Sequence, residues 1–391
     1  MSLALALSLL LSQAAPDVQK AEVTKAPADA TAPVEIAKPA AEPVATEKRD
    51  VSLPWYLRFN ITGFARIGFF MTFPFQEEQL VGGNAGFRLA DFRANLEWKP
   101  VEKFSIFTSV EFAAPLPDPA DPLTGRRIVD LRDAYLQYEV CTGFKLRVGQ
   151  QRPGYYAEML MSDGAVPFVS RSVLANGVTP PDGFGPRNFI APDRQLGLQI
   201  YSDRMGSDLL GIKYAVGVFN GNGQNQLFND NNSVEPVARV ELDVKRIVTL
   251  GLNGYYNVRT DGARPNRLSN SQLAGGADLV AEFLGFTAMG AFLVKSSNYS
   301  YGGLPPDLML GAMGQLRYLH EDTGIEAAGR FAWFEPSGAQ TQDQIIEVAA
   351  MVGWRPFKLP FRVLAQYTHR EEEAGVGYPN DSVDVMIHAR W

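Results

Sequence analysis

The segment SVDVMIHARW places Val383, Val385, Ile387, Ala389 and Trp391 on one parity and Asp384, Met386, His388 and Arg390 on the other. Successive side chains of a β-strand point to opposite faces, so this alternation predicts a strand whose two faces meet different solvents. The same pattern runs through WYLRFNITGFARIGFF. Trp55, Leu57, Phe59, Ile61, Ala65, Ile67 and Phe69 share one face, opposite Tyr56, Arg58, Asn60, Thr62 and Arg66. The next segment sets Ala90, Phe92, Ala94, Leu96 and Trp98 against Asp91, Arg93, Asn95 and Glu97, and ends at the turn Lys99-Pro100. Alternating segments then recur near 104–112, 130–140, 144–152, 194–201, 209–219, 236–244, 248–259, 273–283, 285–296, 308–318, 325–335, 344–355, 360–369 and 382–391, which with the first two makes sixteen.

The connections alternate in length. KPVEK, VCTG, SDRMGSD, VKR, LG, HEDTG and RPFKLP follow even-numbered segments, whereas PLPDPADPLTGRR, NGNGQNQLFNDNNSVE, TDGARPNRLSNS and EEEAGVGYPND follow odd ones. Short turns at one rim and long loops at the other are the mark of an outer-membrane barrel. The physical reason is that a sheet embedded in lipid must pair every backbone group, and so must close, leaving freedom only at its rims. The fold class expected is all-β: a transmembrane antiparallel barrel of sixteen strands over 51–391.

Aromatic residues keep the register. Trp98, Tyr138, Tyr318, Trp354 and Trp391 lie on the outward parity at the ends of even segments, before the short turns, where a periplasmic interfacial girdle belongs. Phe104, Phe144, Phe286 and Phe361 open the following odd segments on the same face. A terminal aromatic closing an alternating strand also resembles the signal read by the barrel-assembly machinery of Gram-negative bacteria, a first expected partner beside outer-membrane lipid and lipopolysaccharide.

Composition alone decides little: 391 residues, 46% apolar and 20% charged, fit a soluble enzyme equally well. No run of eighteen apolar residues occurs, which excludes a helical span but leaves a barrel open. Residues 3–11 form a short apolar run followed by Ser12-Gln13-Ala14, so 1–14 is expected to be a signal peptide. Residues 15–50 change to Ala, Pro, Glu, Lys and Val without any aromatic, which predicts a disordered periplasmic tether. Cys141 stands alone and forms no intrachain disulfide. His320, His369 and His388 lack metal-ligand spacing, and no Gly-x-Ser-x-Gly elbow occurs, so neither an enzyme nor a cofactor or metal site is expected. Acids exceed bases, which argues against nucleic acid.

Inward parity collects Arg58, Arg66, Arg93, Lys145, Arg147, Arg239, Arg317, Arg330 and Arg362 together with Asp91, Glu97, Glu111, Asp133, Glu139, Glu241, Asp243, Glu282, Glu326, Glu347 and Asp384. Such a wall either sets a transverse field across a wet lumen or satisfies itself across adjacent strands. One connection, 153–193, is far longer than a structureless loop in a compact domain. Its apolar content, including Tyr155, Tyr156, Met159, Phe168, Val169, Phe184 and Phe189, predicts that it folds inward as a constriction loop. Arg152, Arg171, Arg187 and Arg194 then stand near the narrowest point, where guanidinium forks engage paired anionic oxygens.

DLRDAYLQYEV, FKLRVGQQRPGYYAEML, FVSRSV and DRQLGLQIYS resemble the central block of the phosphate- and polyphosphate-selective outer-membrane porins, the porin O/P family. The likeness covers about 87–201, and the rest of the barrel by pattern. It implies a homotrimeric passive channel for small hydrophilic solutes, anions such as phosphate among them, with Arg147, Arg152, Arg171 and Arg194 matching the family pattern. A structural barrel with a sealed lumen, tethered to the envelope interior, stands as the alternative.

Overall fold

A computed structural model of the protein describes residues 54–73, 85–118, 121–177, 190–226, 228–261, 267–300, 306–338, 343–356, 359–372 and 381–391. The expected signal peptide and tether, and Arg187, Phe184 and Phe189, lie outside them. Sixteen long strands follow in order: β1 (Phe59–Phe73), β2 (Gly86–Val101), β3 (Phe104–Asp118), β4 (Asp121–Cys141), β5 (Phe144–Gln151), β6 (Gln195–Tyr201), β7 (Leu210–Phe219), β8 (Glu235–Val244), β9 (Val248–Asp261), β10 (Leu268–Phe283), β11 (Phe286–Tyr299), β12 (Asp307–Leu319), β13 (Ile325–Glu335), β14 (Ile345–Trp354), β15 (Phe361–Glu372) and β16 (Asp381–Arg390). A two-residue strand, Met205–Gly206, pairs with β7 and prolongs the line of β6.

Every long strand is antiparallel to the next, and β1 pairs with both β2 and β16, so the sheet closes. The seam runs from Phe64 opposite Arg390 to Phe73 opposite Asp381. Trp391 continues it: its N–H donates to Gly63 O at 3.1 Å, and Gly63 N–H donates to Trp391 O at 3.0 Å. Closure leaves no edge strand and pairs the backbone without water, which a sheet in hydrocarbon requires.

The two faces differ as the alternation predicts. On β13, Ile325 and Phe331 are more than half exposed, while Glu326 and Arg330 are buried on the other side. Leu196, Leu198, Ile212, Val216, Val218, Val240, Leu252, Leu273, Phe292, Leu316, Val352 and Ile387 repeat the exposed apolar face around the cylinder. An apolar belt of this extent is far beyond what a soluble monomer carries, and hydrocarbon is the solvent that fits it.

Two departures from the sequence reading have local causes. Trp55–Leu57 is a 3₁₀ turn, and β1 starts at Phe59; Leu57 N–H donates to Pro54 O at 2.9 Å, and the Trp98 indole donates to Trp55 O at 3.0 Å. β2, β3 and β4 extend further toward the long-loop rim than the alternation suggests, so that PLPDPADPLTGRR, expected as a loop, is strand through Asp118 and again from Asp121; bulges that reverse parity in β2 and β4 hid the extension. Arg66 pairs with Asp91 but Ile67 with Leu89, which leaves Ala90 extra; Ser109 pairs with Asp133 but Val110 with Leu131, which leaves Arg132 extra. Accordingly Phe87 and Leu89 face outward on one parity, and Phe92 and Leu96 on the other. The two-residue turn between β10 and β11 uses Leu284 (φ 49°) and Gly285 (φ 81°), the positive-φ pair that matches strand twist in a tight hairpin.

Candidate functional site

The connection between β5 and β6 carries two single-turn helices, Ala157–Leu160 and Val173–Asn176. Its internal order is set by one buried carboxylate. Glu158 accepts from the Tyr156 hydroxyl at 2.6 Å, from Ser172 N–H at 2.9 Å and from the Ser172 hydroxyl at 2.5 Å. Ser172 also caps the second helix by accepting from Ala175 N–H at 3.3 Å.

Wall guanidinium groups bind this segment by its backbone carbonyls. Arg66 (β1) donates to Val169 O at 3.1 Å, Arg330 (β13) to Ser170 O at 2.8 Å, and Arg362 (β15) to Val166 O at 3.1 Å and Pro167 O at 2.6 Å. Arg239 (β8) donates to Tyr155 O and Arg390 (β16) to Gly164 O. Gln366 (β15) accepts from Val169 N–H at 2.7 Å, Gln199 (β6) from Gly154 N–H at 2.9 Å, and Tyr255 (β9) donates to Ile190 O at 2.8 Å. Apolar contacts reinforce these. Among the described residues, the two clusters that join the segment to the wall draw on β7–β16 and on Phe70 of β1, with no member from β2–β6.

Beside the segment, toward β1, β2 and β4, lies a cavity of about 360 Å³ lined by Arg66, Arg132, Arg152, Arg171 and Arg194 and by Asp91, Asp163 and Asp193. Arg171 holds Asp163 through Nε at 3.0 Å and Nη2 at 2.9 Å, and also binds Met161 O. Arg93 reaches the other Asp163 oxygen at 2.7 Å and Glu111 at 3.1 Å. Arg194 uses Nε on both oxygens of Asp133 at 3.1 Å. Arg66 pairs with Asp91.

Arg152 differs from its neighbours: Nη1 donates to Met159 O and Met161 O, no carboxylate pairs with it among the described residues, and Nε is enclosed without a partner. Burial first, then the charges of Arg194 and Arg171, pull its guanidinium down from the ordinary value to about 9. It is the least neutralised cation of the cluster. Burial alone would raise Asp163, yet Arg171, Arg93, Arg152 and Arg66 together hold it well below the ordinary carboxylate value.

Four residues named from sequence, Arg66, Arg152, Arg171 and Arg194, therefore line one cavity, and Arg93 adjoins it through Asp163. Arg147 lies further along β5, its guanidinium between the rings of Tyr135 and Tyr201 at 4.2 and 4.7 Å. Lys145 pairs with Asp203 at 2.7 Å and Glu139 at 3.3 Å, and Arg58 donates to Pro100 O at 3.4 Å, both near the short-turn rim and away from the cavity. Much of the wall satisfies itself locally: Arg239 binds Asp278 through both terminal nitrogens at 2.6 and 2.8 Å, Arg317 and Arg362 share Glu326, and Arg330 and Arg370 share Glu347. These charges interleave in pairs, the second of the two arrangements open from sequence.

The girdle residues face outward. Trp98 is half-buried and stacks on Phe59 at 6.0 Å, Tyr318 tilts against Phe286 at 4.6 Å, and Tyr138, Trp354 and Trp391 are close to half exposed. Arg132 is the cavity residue that parity reading missed, because the bulge places it on the inward side. Its signal was present: Val129 and Leu131 are apolar on odd numbers, whereas Leu136, Tyr138 and Val140 are apolar on even ones.

No family model matches the chain, and no curated protein matches it in sequence. Solved structures do match. The anion-selective porin from Comamonas acidovorans aligns with a TM-score of 0.57 at 11% identity, covering 85% of this chain and 99% of that one. The outer membrane channel DcaP of Acinetobacter baumannii aligns at 0.58 and 11%, covering 85% and 97%. The trimer form of OmpT, an outer membrane protein of Vibrio cholerae, aligns at 0.53 and 12%, covering 85% and 99%. At such identities the likeness is one of fold: the chain is a porin-type, sixteen-stranded closed barrel.

Proposed function

We propose that the chain is a Gram-negative outer-membrane porin, a passive channel for small hydrophilic solutes in which anions are favoured. The connection over 153–177 lies against the inner wall and narrows the lumen, and solutes pass on the side of β1–β6. The observation that carries this reading is the gathering of five guanidinium groups around one cavity, four of them beside an acid and Arg152 left without an acidic partner. Guanidinium edges bind carboxylate or phosphate oxygens in pairs, and a channel needs such binding to be weak enough for release.

The resemblance to the porin O/P family supports phosphate among the solutes and a homotrimer, and the Comamonas protein that shares the fold is an anion-selective porin. Outward Trp98, Tyr138, Tyr318, Trp354 and Trp391 supply the headgroup-depth girdle next to lipid and lipopolysaccharide, and the last strand engages the assembly machinery. Residues 1–14 direct export and 15–50 form a periplasmic tether.

The test is planar-bilayer recording of the purified protein. Ohmic steps with anion-favouring reversal potentials in a salt gradient are expected, and Arg152→Gln is expected to move the reversal potential toward cations. Absence of current from correctly folded protein refutes the channel and leaves the sealed structural barrel.

A further inference from the structure

Below the arginine-lined cavity, on the same wall, four side chains stack across four adjacent strands. Phe107 (β3) lies against Tyr135 (β4) with ring centroids 5.0 Å apart and planes 22° apart. The Arg147 (β5) guanidinium carbon lies over the ring of Tyr135 at 4.2 Å and over that of Tyr201 (β6) at 4.7 Å from the centroids. All four are on the inward parity, and all are only half-buried. They stand on β3–β6, the part of the wall that contributes nothing to the apolar clusters under the β5–β6 connection.

We propose that this stack is a second binding subsite of the lumen, for anions that carry a flat unsaturated ring, of which aryl carboxylates are the simplest class. The inference rests on the channel reading above and adds to it a solute class that the arginine cavity alone does not select.

The charge at this subsite is real and uncommitted. Arg147 pairs with no carboxylate among the described residues; Nη2 donates to the Gln137 side chain at 3.0 Å and to the Tyr201 hydroxyl at 3.2 Å, and Nε is enclosed without a partner. Elsewhere on the wall Arg66, Arg93, Arg239, Arg330 and Arg362 are paired with acids. Two phenol rings and the contacts of Nη2 fix the position of the guanidinium, which is thereby preorganised for an anionic oxygen. The rings are the second element. Aromatic surface facing a wet lumen gains when another flat ring covers it, in offset or edge-to-face contact. An inorganic anion uses only the guanidinium edge, whereas an aryl carboxylate uses the edge and the rings together.

The experiment compares block of chloride current through the reconstituted full chain by sodium benzoate and by sodium cyclohexanecarboxylate, which share a carboxylate and a six-carbon ring but differ in flatness. Benzoate is expected to half-block at a concentration roughly three- to tenfold lower, the size of one aromatic contact. Tyr135→Leu with Tyr201→Leu is expected to remove that preference and leave block by cyclohexanecarboxylate within about twofold. Tyr135→Phe with Tyr201→Phe keeps the rings, and is expected to keep the preference whether or not the leucine variant folds. Equal block of wild type by the two acids, or a preference that survives in the leucine variant or vanishes in the phenylalanine one, overturns the subsite while leaving an anion channel in place. No current at all defeats the channel reading itself, and the subsite falls with it.

Discussion

Leu174 and Gly311 offer a quantitative test of how the β5–β6 connection is held. Leu174, in the second single-turn helix, is fully buried, and it fills the space over Gly311 on β12. A Cβ built on Gly311 overlaps Leu174 Cδ1 and comes within 3.2 Å of Phe334. Two opposite perturbations follow from this single fit. Leu174→Ala empties the notch, at a cost of about 2–5 kcal/mol for a buried leucine. Gly311→Ala overfills it, at about 1–3 kcal/mol. Combined, the small side chain at 174 makes room for the new methyl at 311, so the double variant is expected to lose less than the sum by about 1–2 kcal/mol. The strands carry the barrel, so these losses fall on attachment of the segment and leave the closed sheet intact. The assay is single-channel conductance together with the rate of protease cleavage within 155–177, in variants that keep the heat-modifiable mobility of a folded barrel. Each single variant is expected to show larger or noisier conductance and faster cleavage, with partial recovery in the double. Unchanged conductance and cleavage in both singles would refute the packing argument, and strict additivity would show that the two residues do not share one space.

Glu158→Ala is expected to leave the Tyr156 hydroxyl and the Ser172 N–H and hydroxyl without their acceptor, costing about 1–3 kcal/mol for each donor stranded in the interior and releasing the segment to protease. Because Asp163 is held below its ordinary value of 3.8, its contribution to attachment is present above that value and is lost only as pH falls through the lowered one; the conductance level is therefore expected to hold from about pH 7 to about pH 4, and a transition near pH 5 would contradict it. Gly63→Val is expected to press on both the Arg93 carbonyl of the neighbouring strand and the Trp391 ring, which packs against Gly63 beside Phe92, and to slow barrel assembly in a folding time course; a wild-type rate would count against a role for that close packing at the seam.

The barrel was legible because period-two alternation is a direct consequence of one wet and one oily face, and because turn and loop lengths sort by rim. Strand ends were less so. A fixed period cannot follow a strand past a bulge, which hid the outer parts of β2 and β4 and the inward placement of Arg132. Trp55–Leu57 mimicked strand parity over three residues, although its backbone turns at Pro54. The candidate site was half legible. Arg66, Arg152, Arg171 and Arg194 could be named from parity and from the long connection. Their partners could not, since the acceptors of Arg66, Arg239, Arg330, Arg362 and Arg390 include backbone carbonyls whose positions depend on the path of that connection. Nor does parity reveal that Arg147 lies between two rings contributed by other strands.

The most direct measurement places a single reactive thiol on the wall that borders the proposed passage. In a Cys141→Ser background, Gln137→Cys on β4 faces inward and is half-buried, whereas Gln366→Cys on β15 is covered by Val169. Reconstituted channels are then exposed to anionic and cationic thiol reagents of equal size. At position 137 the anionic reagent is expected to react faster and to reduce the current, while position 366 stays silent. Faster reaction with the cationic reagent at 137, or current lost only through modification at 366, contradicts an anion-favouring passage along β1–β6.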